Sequence, residues 1–185
     1  MFRSQSMQGP CGAFAIHGAL RMLGQDATVR QVAKAAHMSL INMYMDGIDE
    51  EQMVKAIQNL GFKPKTYDCK KRIDMWNQLR SALKRGNPCI IAPQDAEHWA
   101  TVIGFHERQL IWYDSFDDDL LGVWSEKRMN RWMEQNYEHY FIEVINNGFT
   151  LVNKIPIDYF IDAVMRQQLL TKPTQILSQL ADNNK

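Results

Sequence analysis

The strongest constraint on the fold is a change of apolar periodicity along the chain, from helical spacing in the first half to short apolar runs in the second. From Phe14 to Leu23 the apolar residues recur at helical spacing, and Gly24 follows as a C-terminal cap. Capping sequences at Thr28 and Asp49 begin two further helices. The first half of the chain is therefore predicted to be helical.

The later part of the chain carries most of the strand patterns. The predicted elements after the third helix are a strand at 62–67, a helix at 74–85, a strand at 88–92, a hairpin with arms at 98–105 and 109–114, a helix at 125–135, a strand at 140–144 and a C-terminal helix at 157–170. This order favours an α+β domain in which a helical half packs on a mainly antiparallel sheet. We expect that domain to span residues 1–150, with 151–185 as a C-terminal helical extension and tail.

Charge and composition disfavour several kinds of partner. Lys plus Arg and Asp plus Glu both number 21, so the formal net charge is zero and no nucleic-acid partner is expected. Apolar residues make up 45% of the chain, which is ordinary for a soluble globular protein. No segment resembles a secretory signal peptide or a membrane span. We therefore expect no membrane insertion, and a protein that is cytoplasmic or exported without a cleavable signal peptide. The oligomeric state is left open.

The three cysteines, Cys11, Cys69 and Cys89, have irregular spacing that fits neither a disulfide framework nor a zinc site. Cys11 differs from the other two because it lies at or just before the first turn of the first predicted helix. A helix N-terminus supplies partial positive charge, which favours the reactive thiolate. Gly9 and Gly12 are expected to let a substrate backbone approach the thiol. Cys11 is therefore the candidate nucleophile, and the other two cysteines are expected to be inert.

A catalytic cysteine needs a base, and His98 is the candidate. It is predicted to open a strand directly after the turn-like segment 93–97, which places its ring at an edge of the sheet. Asp114 ends the next predicted strand, 16 residues later. A hairpin whose turn lies near residue 107 brings these two side chains together. Asp114 is therefore predicted to orient His98 and to fix its tautomer.

A glutamine side chain can donate a hydrogen bond to the oxyanion that forms during acyl transfer. Gln5 and Gln8 lie six and three residues before Cys11, and an extended N-terminal segment could fold either one back toward the thiol. The residue pattern alone leaves both open as the oxyanion donor.

Two stretches of the sequence resemble papain-like cysteine peptidases. Residues Gln5 to Gly12 are similar to the nucleophile motif, in which a glutamine stands six residues before the cysteine, so the resemblance favours Gln5. Residues Glu97 to Phe105 resemble the histidine strand of the double-glycine branch, which processes bacteriocin leaders, and Tyr113-Asp114-Ser115 matches the end of the following strand in that branch. The resemblance covers roughly residues 3–145.

The resemblance implies a papain-like α+β fold and a cysteine peptidase that hydrolyses a peptide or isopeptide bond. It implies Cys11 as nucleophile, His98 as base, Asp114 as orienting residue and Gln5 as oxyanion donor. The partner would be a peptide or protein substrate. No metal or cofactor is needed for this chemistry.

Two other interpretations of the same residues remain open. The triad could serve another acyl-transfer reaction, such as deubiquitination, glutamine deamidation or transglutamination, or the domain could be an inactive binding module with the same fold. Residues 37–48 and 115–124 are the longest irregular stretches near the proposed site, and they are the candidates for substrate specificity. His17 is expected to be a core or interface histidine, since it lies on a different side of the helix from Cys11, and Trp99 is expected to be a core residue, since it points away from His98.

Overall fold

The computed structural model describes residues 9–92, 98–106, 109–115, 121–125, 127, 128, 130 and 139–146. The C-terminal extension expected at 151–185, including its helix, lies outside the described residues, as does most of the helix expected at 125–135. The boundary proposed at residue 150 therefore stays a prediction.

Five helices form within the described part of the chain. They are α1 (Cys11–Met22), α2 (Val29–Ala35), α3 (Leu40–Met45), α4 (Glu50–Asn59) and α5 (Arg72–Lys84). The two predicted capping boxes are both present, at Thr28 before α2 and at Asp49 before α4. In each box the side chain accepts a hydrogen bond from the backbone N–H three residues later, which satisfies an unpaired donor of the first turn.

Six strands form one sheet in the order β1-β6-β2-β3-β4-β5. Their bounds are β1 (Phe62–Cys69), β2 (Cys89–Ile91), β3 (Ala100–His106), β4 (Gln109–Tyr113), β5 (Leu121–Ser125) and β6 (His139–Asn146). All five neighbouring pairs are antiparallel. The predicted hairpin is the pair β3–β4, which contains a register shift between Val102 and Gly104.

The sheet is covered by a helix on each face, as alternation along β3 shows. The Thr101 hydroxyl donates to the Ala15 carbonyl of α1 at 2.7 Å. The next residue, Val102, belongs instead to the buried cluster that α5 forms with the sheet, together with Met75 and Leu79. Successive strand residues point to opposite faces, so α1 and α5 pack on opposite sides of the sheet.

A buried carboxylate ties α5 to the strands at one end of the sheet. Glu143 of β6 has a side chain that is only 1% exposed. One of its oxygens accepts hydrogen bonds from Arg85 Nη2 at 2.7 Å and Asn87 Nδ2 at 2.6 Å, and the other accepts one from the Tyr67 hydroxyl at 2.6 Å. Burial alone would raise the pKa of Glu143, but these hydrogen bonds and the Arg85 charge outweigh it and lower the pKa. The charged Glu143 side chain therefore links the end of α5 to β1 and β6.

Two stretches expected to be irregular contain regular structure. Within 37–48 the chain forms α3, whose N-cap Ser39 accepts from the Asn42 N–H at 3.1 Å. Within 115–124 the chain enters β5, which pairs with β4. In both places the expectation of a continuous loop was wrong. Among the described residues, no helix has the length and apolar character needed to cross a membrane.

Candidate active site

Cys11 is the first residue of α1, as the sequence predicted. Pro10 is the N-cap, and no side chain caps this end of the helix. The helix then runs for 12 residues, so the partial positive charge of its N-terminus lies at the cysteine. The Cys11 side chain is nevertheless largely enclosed, since the residue is 6% exposed. The thiol therefore lies in a sheltered and electrically positive position.

His98 and Asp114 meet at the end of the β3–β4 hairpin. The distance between His98 Nε2 and Asp114 Oδ1 is 2.8 Å, and both side chains are mostly buried, with exposures of 13% and 8%. Neither residue belongs to a strand, because β3 begins at Ala100 and β4 ends at Tyr113. The predicted juxtaposition of residues 98 and 114 is therefore found, although the strand begins two residues later than expected.

The Cys11 side chain also interacts with His98 and affects its pKa. Burial of the ring lowers the pKa of His98, but the hydrogen bonds and charges of Asp114 and Cys11 outweigh it and raise the pKa to about 9. The imidazole therefore carries its proton at neutral pH, and a cationic ring faces the thiol.

The glycines beside Cys11 serve internal packing. A Cβ atom on Gly9 would collide with the backbone of Tyr44, and one on Gly12 would collide with the side chain of Ile48. Both positions are thus filled by residues from the end of α3 and from the link between α3 and α4, and the expected role of these glycines in substrate approach stays a prediction. Their role is to let residues 44–48 lie directly against the start of α1.

The remaining candidates are placed as follows. Gln5 and Gln8 lie outside the described residues, so the identity of an oxyanion donor stays a prediction. His17 is buried in α1, and its Nδ1 lies 3.0 Å from both the Ala27 carbonyl and the Asp26 carboxylate. It is a core histidine, as expected. Within the described part of the chain, no group of three or more His, Cys, Asp or Glu side chains could hold a metal ion.

Sequence reasoning placed Trp99 in the core, which is correct, but missed its contacts beside the site. Its Nε1 donates to the Ile48 carbonyl at 3.0 Å, and the residue is 7% exposed. A Cβ on Gly12 would lie 3.2 Å from Trp99 Cδ1. Ile48 and Gly12 carry no local sequence signal for this packing, because the contact joins residues far apart in the chain.

No family model matches the chain, and no curated protein sequence matches it. Several solved structures do resemble it. The peptidase domain of Streptococcus ComA, a bi-functional ABC transporter involved in a quorum sensing pathway, has a TM-score of 0.59 at 16% identity, with 78% of this chain and 97% of that domain covered. A double glycine motif protease from an AMS/PCAT transporter, solved in complex with the leader peptide, has a TM-score of 0.57 at 18% identity, covering 78% of this chain and 89% of its own.

A C39-like peptidase from Bacillus anthracis is similar to the same degree, with a TM-score of 0.56 at 14% identity, covering 80% of this chain and 95% of its own. At such identities the likeness shows the fold alone. The chain has the papain-like α+β fold of double-glycine peptidase domains, which confirms the fold predicted from the sequence.

Proposed function

We propose that this protein is a cysteine peptidase that hydrolyses a peptide or isopeptide bond. The observation that carries the proposal is the 2.8 Å contact between His98 Nε2 and Asp114 Oδ1, together with the interaction of the same histidine with Cys11 at the start of α1. In the proposal Cys11 would be the nucleophile, His98 the base and Asp114 the orienting group, which is the order that such catalysis requires. The likeness to peptidase domains, one of them solved with a leader peptide, supports a peptide substrate.

In the proposed reaction the Cys11 thiolate attacks the scissile carbonyl carbon, which forms a C–S bond and a tetrahedral oxyanion. Collapse of this intermediate breaks the C–N bond while His98 gives its proton to the leaving amine. His98 then takes a proton from water, which attacks the thioester and releases the carboxylic acid and the free thiol. Asp114 keeps Nε2 protonated throughout, and Gln5 with the Cys11 N–H would donate to the oxyanion.

The first test measures how fast iodoacetamide alkylates each thiol between about pH 5 and 9. Because only the thiolate reacts and a cationic His98 favours it, Cys11 should react at pH 6 at least tenfold faster than Cys69 and Cys89. His98→Ala should remove this advantage, while His37→Ala, at an exposed histidine, should leave it unchanged. Equal rates for the three thiols at pH 6 in the unmodified protein would refute the proposal.

The second test identifies the reaction. The protein is incubated with a library of peptides of known sequence that includes double-glycine peptides, and the products are read by mass spectrometry against Cys11→Ser. Paired fragments that gain one water between them indicate hydrolysis. Ammonia release without cleavage would point instead to glutamine deamidation or transglutamination, and alkylation-competent protein that yields no product would point to a binding module.

A further inference from the structure

Trp99 joins three parts of the chain around the proposed site. It follows His98 directly in sequence, its indole Nε1 donates to the Ile48 carbonyl at 3.0 Å, and its ring lies against Gly12. Gly12 in turn follows Cys11 directly. In both segments, therefore, the residue in the Trp99–Gly12 contact directly follows the residue in the His98–Cys11 contact.

This offset has a geometric consequence, because adjacent Cα atoms are fixed at about 3.8 Å. An indole held against Gly12 restricts where the backbone of His98 can lie relative to Cys11. The absence of a side chain at Gly12 makes the approach this close, since a Cβ there would already meet Ile48 and Trp99. The ring is large, stiff and buried, so it holds its neighbours more firmly than a flexible side chain would.

His98 needs such support because no strand holds it. β3 begins at Ala100, so the ladder bonds of β3 start two residues after the histidine. Its side chain hydrogen-bonds Asp114, which belongs to the proposed triad, and interacts with Cys11, which also belongs to it. Trp99, the residue directly after His98, is anchored to Ile48, a part of the molecule outside the triad.

A second contact between β3 and α1 lies one helical turn further from the site. The buried Thr101 hydroxyl donates to the Ala15 carbonyl at 2.7 Å, and Ala15 is four residues after Cys11. Thr101 and Trp99 are two residues apart and therefore share the face of the chain that meets α1. Together they hold the start of β3 in register with the first turns of α1.

We propose that Trp99 is a positioning residue of this site, which sets the His98 ring against the Cys11 thiol through its hydrogen bond to Ile48 and its packing on Gly12, with Thr101 supporting the same register. This inference rests on the proposed function. Trp99 acts through His98 and needs no contact with substrate.

The matched control for this proposal is Trp76, another buried tryptophan. It is 3% exposed, and its Nε1 donates to Asn130 Oδ1 at 2.7 Å. It lies on α5, on the opposite face of the sheet from α1. Trp99→Phe and Trp76→Phe thus each remove one buried indole hydrogen bond and similar volume, and both should lower the unfolding midpoint in urea by a similar amount.

The decisive readout is the alkylation rate of Cys11 by iodoacetamide as a function of pH. Trp99→Phe should lower this rate at pH 6 about fivefold, the factor expected when positioning worth one hydrogen bond is lost, while Trp76→Phe should stay within about twofold of the unmodified protein. The gap for Trp99→Phe should narrow above pH 9, where the protonated imidazole is lost in every variant. Equal effects of the two variants at pH 6, or none, would overturn the proposal.

Thr101→Val, which removes only the hydroxyl donor, decides the matter if Trp99→Phe does not fold. It should lower the Cys11 rate at pH 6 in the same direction, and an unchanged rate with a lowered urea midpoint would overturn the proposal. The unmodified protein separates this result from the function itself. If its Cys11 reacts no faster than Cys69 and Cys89, the proposed function fails; if it reacts faster and the variants match it, only the positioning role fails.

Discussion

Replacing Asp114 with asparagine should change how the stability of the protein depends on pH. The pKa of His98 is raised from 6.5 to about 9 in the folded state, with Asp114 first among the partners that raise it. At 1.36 kcal/mol per pH unit this corresponds to about 3 kcal/mol of stability. Because the folded pKa is the higher one, this stability is fully present below pH 6.5 and is lost as the pH rises through about 9.

The asparagine keeps the shape of the side chain and an oxygen that can accept from Nε2, but removes the charge. More than half of the stabilisation should disappear with it, about 2 kcal/mol. Relative to the unmodified protein, Asp114→Asn should therefore be about 2 kcal/mol less stable at pH 6, and this difference should close as the pH rises to 10. Urea unfolding in the presence of a reductant at both pH values measures it.

The comparison of two proteins at each pH removes the contributions of all other groups that titrate in this range, including the buried thiols of Cys69 and Cys89. Asp46→Asn is the control, because Asp46 is exposed at the end of α3 and its removal subtracts the same charge from the protein. Its unfolding free energy should follow that of the unmodified protein across the range. If the difference for Asp114→Asn is the same at pH 6 and pH 10, the carboxylate does not hold the proton on His98.

Three further substitutions test the fold around the site. Glu143→Gln should lower the unfolding free energy at pH 7 by about 2 kcal/mol, since Arg85 loses its buried charged partner. Because the pKa of Glu143 is lowered in the folded protein, this loss of stability should shrink as the pH falls through the pKa of Glu143. The urea midpoint measured at a series of acidic pH values tests this. Gly18→Ala should cost about 1–2 kcal/mol, because the new methyl group meets the ring of Tyr113, and unchanged calorimetric stability would mean that the ring moves freely. Thr28→Ala should cost about 1 kcal/mol of thermal stability through loss of the capping box, with no effect on Cys11 alkylation.

Features encoded by neighbouring residues were predictable from the sequence. The capping boxes at Thr28 and Asp49 form because donor and acceptor are three residues apart, and no distant contact is needed. The pairing of His98 with Asp114 follows the same logic on a longer scale, since the antiparallel pairing of β3 with β4 brings the two ends together. The helix starts, the helix ends and the His98–Asp114 pair could therefore be predicted from residues that are close in sequence.

Features decided by distant contacts were not predictable. Strand β5 contains Gly122, which reads as a loop residue, yet this glycine leaves the space that the Trp112 indole of β4 occupies. Helix α3 is only six residues long and leaves Ile41 and Met45 exposed, so it lacks the apolar stripe by which longer helices are recognised. Its one local signal was Ser39, a helix-capping residue. The register shift between Val102 and Gly104 likewise has no marker beyond the glycine itself.

The three cysteines show why the sequence pattern around Cys11 carried more information than the residue type. Burial raises the pKa of Cys69, and the nearby carboxylates of Asp74 and Asp68 raise it further. Burial raises the pKa of Cys89 well above its ordinary value, and Glu143 adds to the effect. Burial, with a smaller contribution from nearby carboxylates, thus suppresses the thiolate at both positions.

At Cys11 the neighbouring charges have the opposite sign. Cys11 is the first residue of α1, so the partial positive charge of the helix N-terminus lies at the thiol, and the thiol interacts with His98. Within one protein, therefore, two thiols face negative groups and one faces positive groups. If electrostatics rather than exposure governs their chemistry, Cys11 should be alkylated at pH 6 at least tenfold faster than Cys69, although its residue exposure of 6% is no greater than the 7% of Cys69. This near-equality of exposure makes the pair Cys11 and Cys69 the sharpest internal comparison that the chain offers.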